Sequence, residues 1–450
     1  MYMLPTAVEE SELTADQVAG REFPLQVIAR PVQQTVAVLG LGYVGLPTAL
    51  ALHRTHCLIG VDISANRLAA IRRGRVDLLP DDQRRLGQAL SSHDGAFELT
   101  SDERRLSAAD AVIICVPTPV DAQLVPDLEL LRAACASVVR QARRGQLIVL
   151  TSTTYVGATR QLLIEPLRAR GLAAGVDVHV AFCPERIDPG NSKHVQSTTP
   201  RVAGGATPEC AARTAALFAG VAPTVHTVGS VEAAEMTKLM ENTFRAVNIA
   251  LANEFSDICR VFDLDPIEIT DAAATKPYGF LAHYPGPGVG GHCIPCDPHY
   301  LLWQLRAHRV AAPLVQQAMG QIALRPGRVV SRAVEVLSAA QMGIMGTRIL
   351  VVGVAYKPDV EDVRESPALE IIRGLHRCGA KVSYYDSLVP RLRISSGEDL
   401  DRVASPRGED YDLVIVHSTH RHEDFGWVGS CPNVLDATYR LDGILHRQLV

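Results

Sequence analysis

The amino-acid sequence predicts an α/β protein in which two Rossmann-like, doubly wound domains are joined by a long central helix and a helical domain. In the first half of the 450-residue chain, short apolar strands alternate with helical stretches, a pattern typical of a parallel sheet. Residues 230–262 then contain neither Gly nor Pro, which predicts one uninterrupted helix. A second alternation of strands and helices begins at residue 348.

The first strand is predicted at residues 35–38, where a β-branched run leads into a glycine-rich turn and a helical stretch. A second strand follows at residues 58–62. The next strands of this half are the apolar runs AVIICVP, LIVLTST and VHVAFCP. Because helical stretches separate these runs, we expect them to form one parallel sheet.

The turn after the first strand carries a dinucleotide-binding pattern. Gly40, Gly42 and Gly45 form G-x-G-x-x-G between a strand and a helix. This spacing provides a tight turn, close approach of the backbone to a pyrophosphate, and N–H groups at the helix N-terminus. Asp62, at the end of the next strand, is placed to accept from both ribose hydroxyls and would repel a 2′-phosphate. The pattern therefore favours NAD over NADP, and a purely structural glycine turn is the alternative.

The helix predicted at residues 230–262 begins at Ser230, a residue suited to the N-cap, and has Glu232 in its first turn. A helix of this length usually crosses between domains or forms a dimer interface. More helix is expected at 299–340.

The second α/β unit opens with RILVVGVAYKP and continues through a helix at 367–378 and the strands KVSYYDS and DLVIVHS. We therefore divide the chain into four predicted parts. They are a polar N-terminal extension (1–33), a dinucleotide-binding domain (34–225), a central helical domain for dimerisation and catalysis (226–340) and a C-terminal α/β domain (341–450).

The composition is that of an ordinary globular protein, with 47% hydrophobic and 21% charged residues. A formal net charge of −5 gives no electrostatic case for binding nucleic acid or an anionic membrane. We see no apolar run long enough for a transmembrane helix, and the acidic N-terminus is unlike a signal peptide. The ten cysteines are too scattered for a disulfide scaffold. We therefore expect a cytoplasmic protein without nucleic-acid or membrane partners.

Polar residues that could complete an active site lie in three places. Lys238, Asn242 and Arg245 share one face of the long helix, where a solvated polar stripe is the alternative interpretation. Glu185–Arg186 and the TSTT segment at 151–154 each come directly after a predicted strand. Doubly wound sheets bind ligands at these strand ends, although ordinary loop residues also occur there.

The stretch GPGVGGHCIPCDPHY leaves several chemical interpretations open. His292, Cys293, Cys296 and His299 are possible zinc ligands, but they span a short segment, whereas zinc sites usually draw ligands from separated segments. The Cys-x-x-Cys spacing also permits a redox pair, although no thioredoxin-like unit surrounds it. A third interpretation is a nucleophilic thiolate held by a glycine-rich loop near a cofactor, with a lysine to lower its pKa.

Seven motifs in one order resemble the nucleotide-sugar 6-dehydrogenases, the family that includes UDP-glucose dehydrogenase and the UDP-N-acetylhexosamine dehydrogenases. The likeness covers nearly the whole chain after residue 34. The motifs are GLGYVGLP, CVPTP, STT, PER, KLMENTFRAVNIALANE, GPGVGGHCIPCDP and AYKPDVEDVRESPA.

The resemblance implies a two-step, four-electron oxidation of a sugar C6 alcohol to a carboxylate, with two NAD consumed per turnover. Cys293 would attack the intermediate aldehyde, and the thiohemiacetal would be oxidised to a thioester that water hydrolyses. Cys296 is not at a position that the family uses for chemistry.

The same resemblance implies roles for individual residues. The catalytic residues would be Cys293 as nucleophile, Lys238 and Asn242 at the oxyanion, Asp297 and Thr153 at the water, and Glu185 as acid/base. The cofactor-binding residues would be Gly40, Gly42, Tyr43, Val44, Gly45, Asp62, Arg67 and Thr118. The substrate-binding residues would be Arg186, Arg245, Gly290, Lys357 and Arg364, with the UDP moiety held by the C-terminal domain. No metal is expected.

The substrate class is suggested by two motifs. PER and GGHC resemble the N-acetylhexosamine branch of the family, so UDP-N-acetylmannosamine is favoured and UDP-glucose is the alternative. A plain two-electron alcohol dehydrogenase and a non-catalytic NAD-binding sensor are more distant alternatives.

The segment VLDATYRLDG lacks the expected Asp-x-Arg-Gly pattern, which leaves Arg440 without a role. A homodimer or higher homo-oligomer is expected, and the downstream product would be a surface polysaccharide.

Overall fold

The computed structural model of the protein describes most of the chain. The described residues are 34–76, 78–92, 95–186, 195–291, 293–394, 397, 399–444 and 446–450. The predicted N-terminal extension at 1–33 and the candidate zinc ligand His292 lie outside the described residues.

Eight strands form the first sheet, in the order β3-β2-β1-β4-β5-β6-β7-β8. Its first six positions have the 3-2-1-4-5-6 order of a dinucleotide-binding sheet. The strands are β1 (Thr35–Leu39), β2 (Cys57–Val61), β3 (Phe97–Thr100), β4 (Ala111–Ile114), β5 (Leu147–Leu150), β6 (His179–Phe182), β7 (Arg201–Gly205) and β8 (Val225–Val228). The helices of this part are α1 (Gly45–Leu52), α2 (Ala65–Arg72), α3 (Pro80–Ser91), α4 (Glu129–Gln141), α5 (Glu165–Ala169) and α6 (Pro208–Phe218).

The predicted parallel sheet is confirmed with one exception. Strands β1 to β6 pair in parallel, but β6 and β7 are antiparallel, with Ala181 opposite Gly205. Three strands were also missed. β3 is half-buried along its length and β8 is half-buried or exposed, while β7 ends in two glycines, so none of them presents an apolar run.

Both faces of this sheet are covered. Alternate residues of β1 enter different cores, with Ala37 and Leu39 on one side and Val36 and Val38 on the other. This alternation follows from the two-residue period of a strand. The carboxyl ends of the strands, including the glycine-rich turn after β1, remain available at one edge of the sheet.

The central part consists of helices. They are α7 (Val231–Val261), α8 (Pro266–Ala274), α9 (Asp297–His308) and α10 (Pro313–Ala339). The Ser230 side chain accepts a hydrogen bond from the Ala233 N–H, so the predicted N-cap of the long helix is confirmed. At 31 residues, α7 is about 46 Å long.

The second sheet is parallel, with the order β10-β9-β13-β14-β15. Its strands are β9 (Arg348–Val352), β10 (Lys381–Tyr385), β13 (Leu413–Val416), β14 (Val434–Asp436) and β15 (Arg447–Leu449). β11 (Arg391–Arg393) and β12 (Asp399–Asp401) form a separate antiparallel hairpin, and α11 (Pro367–Arg377) packs on α10. Within the described ranges, no helix combines the length and apolar character needed to cross a membrane.

Candidate active site

The glycine-rich turn is shaped by close backbone contacts at two of its three glycines. Gly40 has φ +91°, and a Cβ there would lie 2.5 Å from the Cys115 carbonyl oxygen. A Cβ at Gly45 would lie 1.8 Å from the Gly40 carbonyl oxygen. A Cβ at Gly42, in contrast, would meet no protein atom within 4 Å. The open space at Gly42 fits the close approach of a dinucleotide pyrophosphate.

The Asp62 carboxylate lies at the entrance of this turn. It accepts hydrogen bonds from the backbone N–H groups of Leu41 and Ser64, each at 2.8 Å. Arg67 closes the other side, because its Nε donates to the Leu41 carbonyl at 2.8 Å. Asp62 and Arg67, both predicted cofactor residues, are therefore brought together with the glycine turn.

The remaining predicted cofactor residues lie around the same turn and the neighbouring strand end. Tyr43 and Val44 are half-buried and immediately precede α1, which has no side-chain cap. Thr118 follows β4, and its carbonyl accepts from the Tyr300 hydroxyl at 3.1 Å. Their contacts with a cofactor stay predictions.

Lys238, Asn242 and Asp297 form a polar cluster between α7 and the start of α9, hereafter the Lys–Asn–Asp cluster. Lys238 is 8% exposed, and its ammonium donates to the Glu185 carbonyl at 2.9 Å. The Asn242 amide donates to the Asp297 carboxylate, which is 3% exposed. The alternative of a solvated stripe is therefore wrong for Lys238 and Asn242, whereas Arg245 is exposed.

Burial raises the pKa of Asp297 from 3.8 to about 6, and the Lys238 charge and the Asn242 hydrogen bond partly oppose this rise. A carboxylate with such a pKa is ionised at neutral pH yet basic enough to accept a proton. The cluster thus places a cation and a general-base candidate side by side.

Cys293 is exposed in the turn that leads into α9. Its carbonyl accepts hydrogen bonds from the N–H groups of Cys296 at 3.2 Å and Asp297 at 2.8 Å, which ties the turn to the Lys–Asn–Asp cluster. Cys296 is buried, and burial raises its thiol pKa to about 12. Among the residues that the structure describes, no group of three or more His, Cys, Asp or Glu is arranged to hold a metal ion.

The glycine loop, residues 286–291, packs against the C-terminal domain. A Cβ at Gly290 would lie 2.6 Å from Tyr356 Cβ, and one at Gly291 would lie 2.8 Å from Tyr356 Cε2. Gly288 is equally tight, with Pro367 Cγ 2.8 Å from its Cβ position. Packing between domains therefore explains these glycines, and the predicted substrate contact of Gly290 stays a prediction.

The second domain contributes a loop, residues 356–365, that faces the glycine loop. The Gly291 N–H donates to the Arg364 carbonyl at 3.2 Å. The Arg364 guanidinium is bound by the Asp362 carboxylate at 2.6 Å, and this hydrogen bond raises its pKa. Lys357 is half-buried in the same loop. The loop therefore lies next to the segment that carries Cys293.

Glu185 lies in a buried ion pair that the sequence did not indicate. Its carboxylate, 8% exposed, accepts from Arg201, which is 2% exposed and begins β7. The neighbouring Arg186 forms an ion pair with Glu241 of α7 at 2.6 Å and donates to the Pro200 carbonyl at 2.8 Å. Both predicted residues of the PER motif are thus attached to elements around the Lys–Asn–Asp cluster.

Glu235 was also missed, although it lies one helical turn before Lys238. Its fully buried carboxylate accepts from the N–H groups of Gly157 at 2.5 Å and Thr159 at 2.8 Å, and from the Thr159 hydroxyl at 2.6 Å. These bonds hold the segment that follows the half-buried Thr153 against α7. An acidic residue on the buried face of a predicted helix was the available signal.

Arg325 in α10 joins three parts of the molecule. It is 1% exposed and donates to the Gly286 carbonyl at 3.0 Å, Asp257 at 2.7 Å and the Tyr439 hydroxyl at 2.6 Å. The glycine loop, the long helix and the C-terminal domain therefore share one buried cation. No local sequence pattern indicates such a contact.

The first sheet has the strand order and glycine-rich turn of a dinucleotide-binding domain, and the Lys–Asn–Asp cluster lies beside the exposed Cys293. These features together define the class of protein as an NAD-dependent dehydrogenase. The sequence matches the three models of the UDP-glucose/GDP-mannose dehydrogenase family, and the chain belongs to this family. The matches cover the NAD binding domain at residues 34–222, the central domain at 232–321 and the UDP binding domain at 350–438.

Several named proteins are similar over most of the chain. UDP-N-acetyl-D-mannosamine dehydrogenase of Yersinia pestis is 36% identical over 76% of this chain and 82% of its own length. UDP-N-acetyl-D-glucosamine 6-dehydrogenase of Pseudomonas aeruginosa is 32% identical over 90% of this chain and 97% of its own. The solved structure of a UDP-D-ManNAc dehydrogenase from Pyrococcus horikoshii has a TM-score of 0.83 at 30% identity, covering 92% of this chain and 98% of its own. The predicted resemblance, the two-domain α/β fold and the NAD cofactor are confirmed.

Proposed function

We propose that this protein oxidises the C6 alcohol of a UDP-N-acetylhexosamine, with UDP-N-acetylmannosamine favoured, to the uronic acid. The observation that carries this proposal is the buried Lys–Asn–Asp cluster next to the exposed Cys293. Relatives named for the N-acetylmannosamine and N-acetylglucosamine substrates support the sugar class. UDP-glucose is the second candidate.

NAD bound at the glycine-rich turn supplies a hydride acceptor for each of the two oxidations. Lys238 stabilises the alkoxide that develops at C6 and then the oxyanion formed when the Cys293 thiolate attacks the aldehyde carbon. In the first oxidation the C6 hydroxyl proton passes to water and the C6 hydride to the bound acceptor. The thiohemiacetal then loses its hydride to the second acceptor and its hydroxyl proton to water, which leaves a thioester on Cys293. Water attacks the thioester, Asp297 accepts the proton from this water, and the C–S bond breaks to release the carboxylate.

Glu185 and Thr153 complete the proposed hydrolytic machinery. Glu185, whose carboxylate accepts a hydrogen bond from Arg201, is proposed as the acid/base residue for thioester hydrolysis. Thr153 lies in the segment that follows the carboxyl end of β5, and it is proposed to bind the attacking water. Lys357 and Arg364 are proposed to bind the UDP moiety from the 356–365 loop, and Arg186 and Arg245 are proposed as further substrate-binding residues.

The proposed assembly is a homodimer formed through the long helix. Exposed apolar side chains follow one another along α7 at intervals of three, four and seven residues, so they form a stripe. The stripe consists of Met236, Met240, Phe244, Leu251, Phe255 and Ile258. An apolar stripe of this length is typical of a protein interface.

Light scattering during size exclusion tests the dimer. Phe255→Asp is expected to yield a monomer, whereas Val176→Asp, at a still more exposed apolar residue outside the stripe, should leave the dimer intact. A Phe255→Asp protein with wild-type mass would contradict this interface.

The proposed location is the cytoplasm. Seven of the ten cysteines are buried as thiols, which supports a reducing compartment. The proposed product is a nucleotide-linked uronic acid, an acidic precursor suited to a surface polysaccharide.

The proposed activity is tested by counting NADH formed from a limiting amount of UDP-N-acetylmannosamine, UDP-N-acetylglucosamine or UDP-glucose. Two NADH per sugar with one of these compounds identifies the substrate and supports the four-electron route. One NADH per sugar would instead indicate a two-electron alcohol dehydrogenase, and no NADH with any of them would overturn the proposed substrate class.

A further inference from the structure

A buried histidine–aspartate pair in the C-terminal domain is not used by the proposed mechanism. His420 Nε2 lies 3.0 Å from Asp386 Oδ1, and the two side chains are 6% and 0% exposed. The other ring nitrogen, Nδ1, accepts a hydrogen bond from the backbone N–H of Asp359 at 2.9 Å. This pattern fixes the tautomer, because Nδ1 can accept only when the proton is on Nε2 and is donated to Asp386.

Asp386 does not depend on His420 for its hydrogen bonds. One carboxylate oxygen accepts from the N–H groups of Val354 at 2.8 Å and Ala355 at 3.1 Å. The other accepts from Leu388 at 3.0 Å and Val389 at 3.2 Å. The carboxylate is therefore a fixed anchor, and His420 is the link between this anchor and Asp359.

Asp359 has a left-handed backbone conformation that its neighbours hold in place. Its φ is +61°, in a region that most residues with a Cβ rarely adopt and that Asp tolerates better than most. In addition to the contact with His420, its carboxylate accepts from the Arg421 N–H at 2.9 Å and from the Arg421 guanidinium. Neighbouring residues His420 and Arg421 thus hold Asp359 through its backbone and its side chain.

Asp359 belongs to the 356–365 loop, which supports the backbone before Cys293. Tyr356 of this loop fills the space beside Gly290 and Gly291, as the close Cβ distances at both glycines indicate. The Gly291 N–H also donates to the loop at the Arg364 carbonyl. Hydrogen bonds therefore connect Asp386 through His420 to the 356–365 loop, and this loop in turn contacts Gly290 and Gly291, which precede Cys293.

We propose that His420 is a positioning residue for the substrate site: by holding Asp359 in its left-handed conformation, it fixes the 356–365 loop against the glycine loop and so sets the position of Cys293. This proposal rests on the proposed function in that Cys293 is the nucleophile. In this role His420 acts through its hydrogen bond with Asp359.

Two substitutions separate the two hydrogen bonds of His420. His420→Asn places an amide oxygen near the Nδ1 position and retains an acceptor for the Asp359 N–H. His420→Gln places its amide near the Nε2 position, retains the contact with Asp386 and leaves the Asp359 N–H without this acceptor. His422→Asn is the matched control, because His422 is exposed two residues further along the same segment.

The expected readouts are the KM values for UDP-sugar and NAD and the rate at which iodoacetamide alkylates Cys293, measured by peptide mass spectrometry. His420→Gln should raise the KM for UDP-sugar and change the alkylation rate roughly tenfold, the effect of one lost hydrogen bond of a buried group. The KM for NAD should not change. His420→Asn and His422→Asn should resemble the wild type. Arg421→Ala, at a side chain that is 68% exposed, provides a second variant with the same direction of effect.

Two results would overturn the proposal. One is a His420→Gln protein with wild-type KM and alkylation rate, and the other is an equal effect of His420→Asn and His420→Gln. If the wild type oxidises no UDP-sugar, the proposed function fails, but the alkylation rates of Cys293 still decide whether His420 positions it.

Discussion

Asp297 offers a direct test of the proposed chemistry because its ionisation is set by the residues around it. The rise of its pKa from 3.8 to about 6 corresponds to about 3 kcal/mol, at 1.36 kcal/mol per pKa unit. Keeping this carboxylate ionised at neutral pH therefore lowers the free energy of unfolding by about 3 kcal/mol. A proton acceptor for thioester hydrolysis must be ionised, so we expect kcat to fall tenfold per pH unit below about pH 6.

The variant Asp297→Asn removes the titrating group and retains the side-chain size. We expect kcat to fall by about a hundredfold or more, and the decline below pH 6 to disappear. Lys238→Met should shift the decline of kcat to higher pH, because the Lys238 charge lowers the Asp297 pKa. Steady-state NADH formation across pH measures both effects. An Asp297→Asn protein that keeps the decline near pH 6, or keeps wild-type kcat, would refute this reasoning.

The same pKa has a consequence for stability. A carboxyl group whose folded pKa exceeds its unfolded pKa contributes stability that is fully present below pH 3.8 and is lost as the pH rises through about 6. The melting temperature of Asp297→Asn relative to the wild type should therefore increase over this pH range. If the difference in melting temperature between the two proteins did not change with pH, this result would contradict the buried location of the carboxylate.

Three further substitutions test other parts of the site. Glu235→Gln should reduce kcat about tenfold with little change in the KM for NAD, since an amide cannot accept all three hydrogen bonds of the buried carboxylate. An unchanged kcat would contradict a role for Glu235 in holding the site together. Asp62→Asn should raise the KM for NAD roughly tenfold and improve the use of NADP, because the charge that repels a 2′-phosphate is removed; retained NAD preference would contradict the assigned role. Gly290→Ala should raise the KM for UDP-sugar, because its Cβ would lie 2.6 Å from Tyr356 Cβ. Gly286→Ala is the control and should leave this KM unchanged, because its Cβ would meet no atom within 4 Å. Equal effects of the two substitutions on the KM would show that interdomain packing is not the cause.

Much of the fold could be predicted because its signals are local. The strand at Thr35–Leu39 is an apolar run that ends in a glycine turn, and the helix at Val231–Val261 has a Ser cap and no interruption. The edge strands at Phe97–Thr100 and Val225–Val228 have no such signal, because one or both faces remain partly exposed. The antiparallel pairing of β6 and β7 depends on the path of the connection between them. The periodicity of apolar residues does not indicate this path.

The active site was less accessible to prediction from residue patterns alone. A solvated stripe was an open interpretation of Lys238, and only the family resemblance assigned it a role in catalysis. The ion pair between Glu185 and Arg201 joins two strands, so neither residue reveals its partner locally. Arg325 likewise forms hydrogen bonds with residues from distant segments of the chain. Contacts of this kind depend on tertiary packing, which the sequence determines but does not display.

Cys293 is proposed to form a thioester with the oxidised sugar, and trapping this acyl-enzyme tests the mechanism most directly. Asp297→Asn should be mixed with NAD and the substrate identified by NADH counting, quenched in acid, and analysed by intact and peptide mass spectrometry. We expect an added UDP-uronyl group on the peptide that contains Cys293, and no such group in Asp297→Asn carrying Cys293→Ala, which has no nucleophile at this position. An unmodified Cys293 peptide during turnover, or the adduct on another residue, would contradict the account.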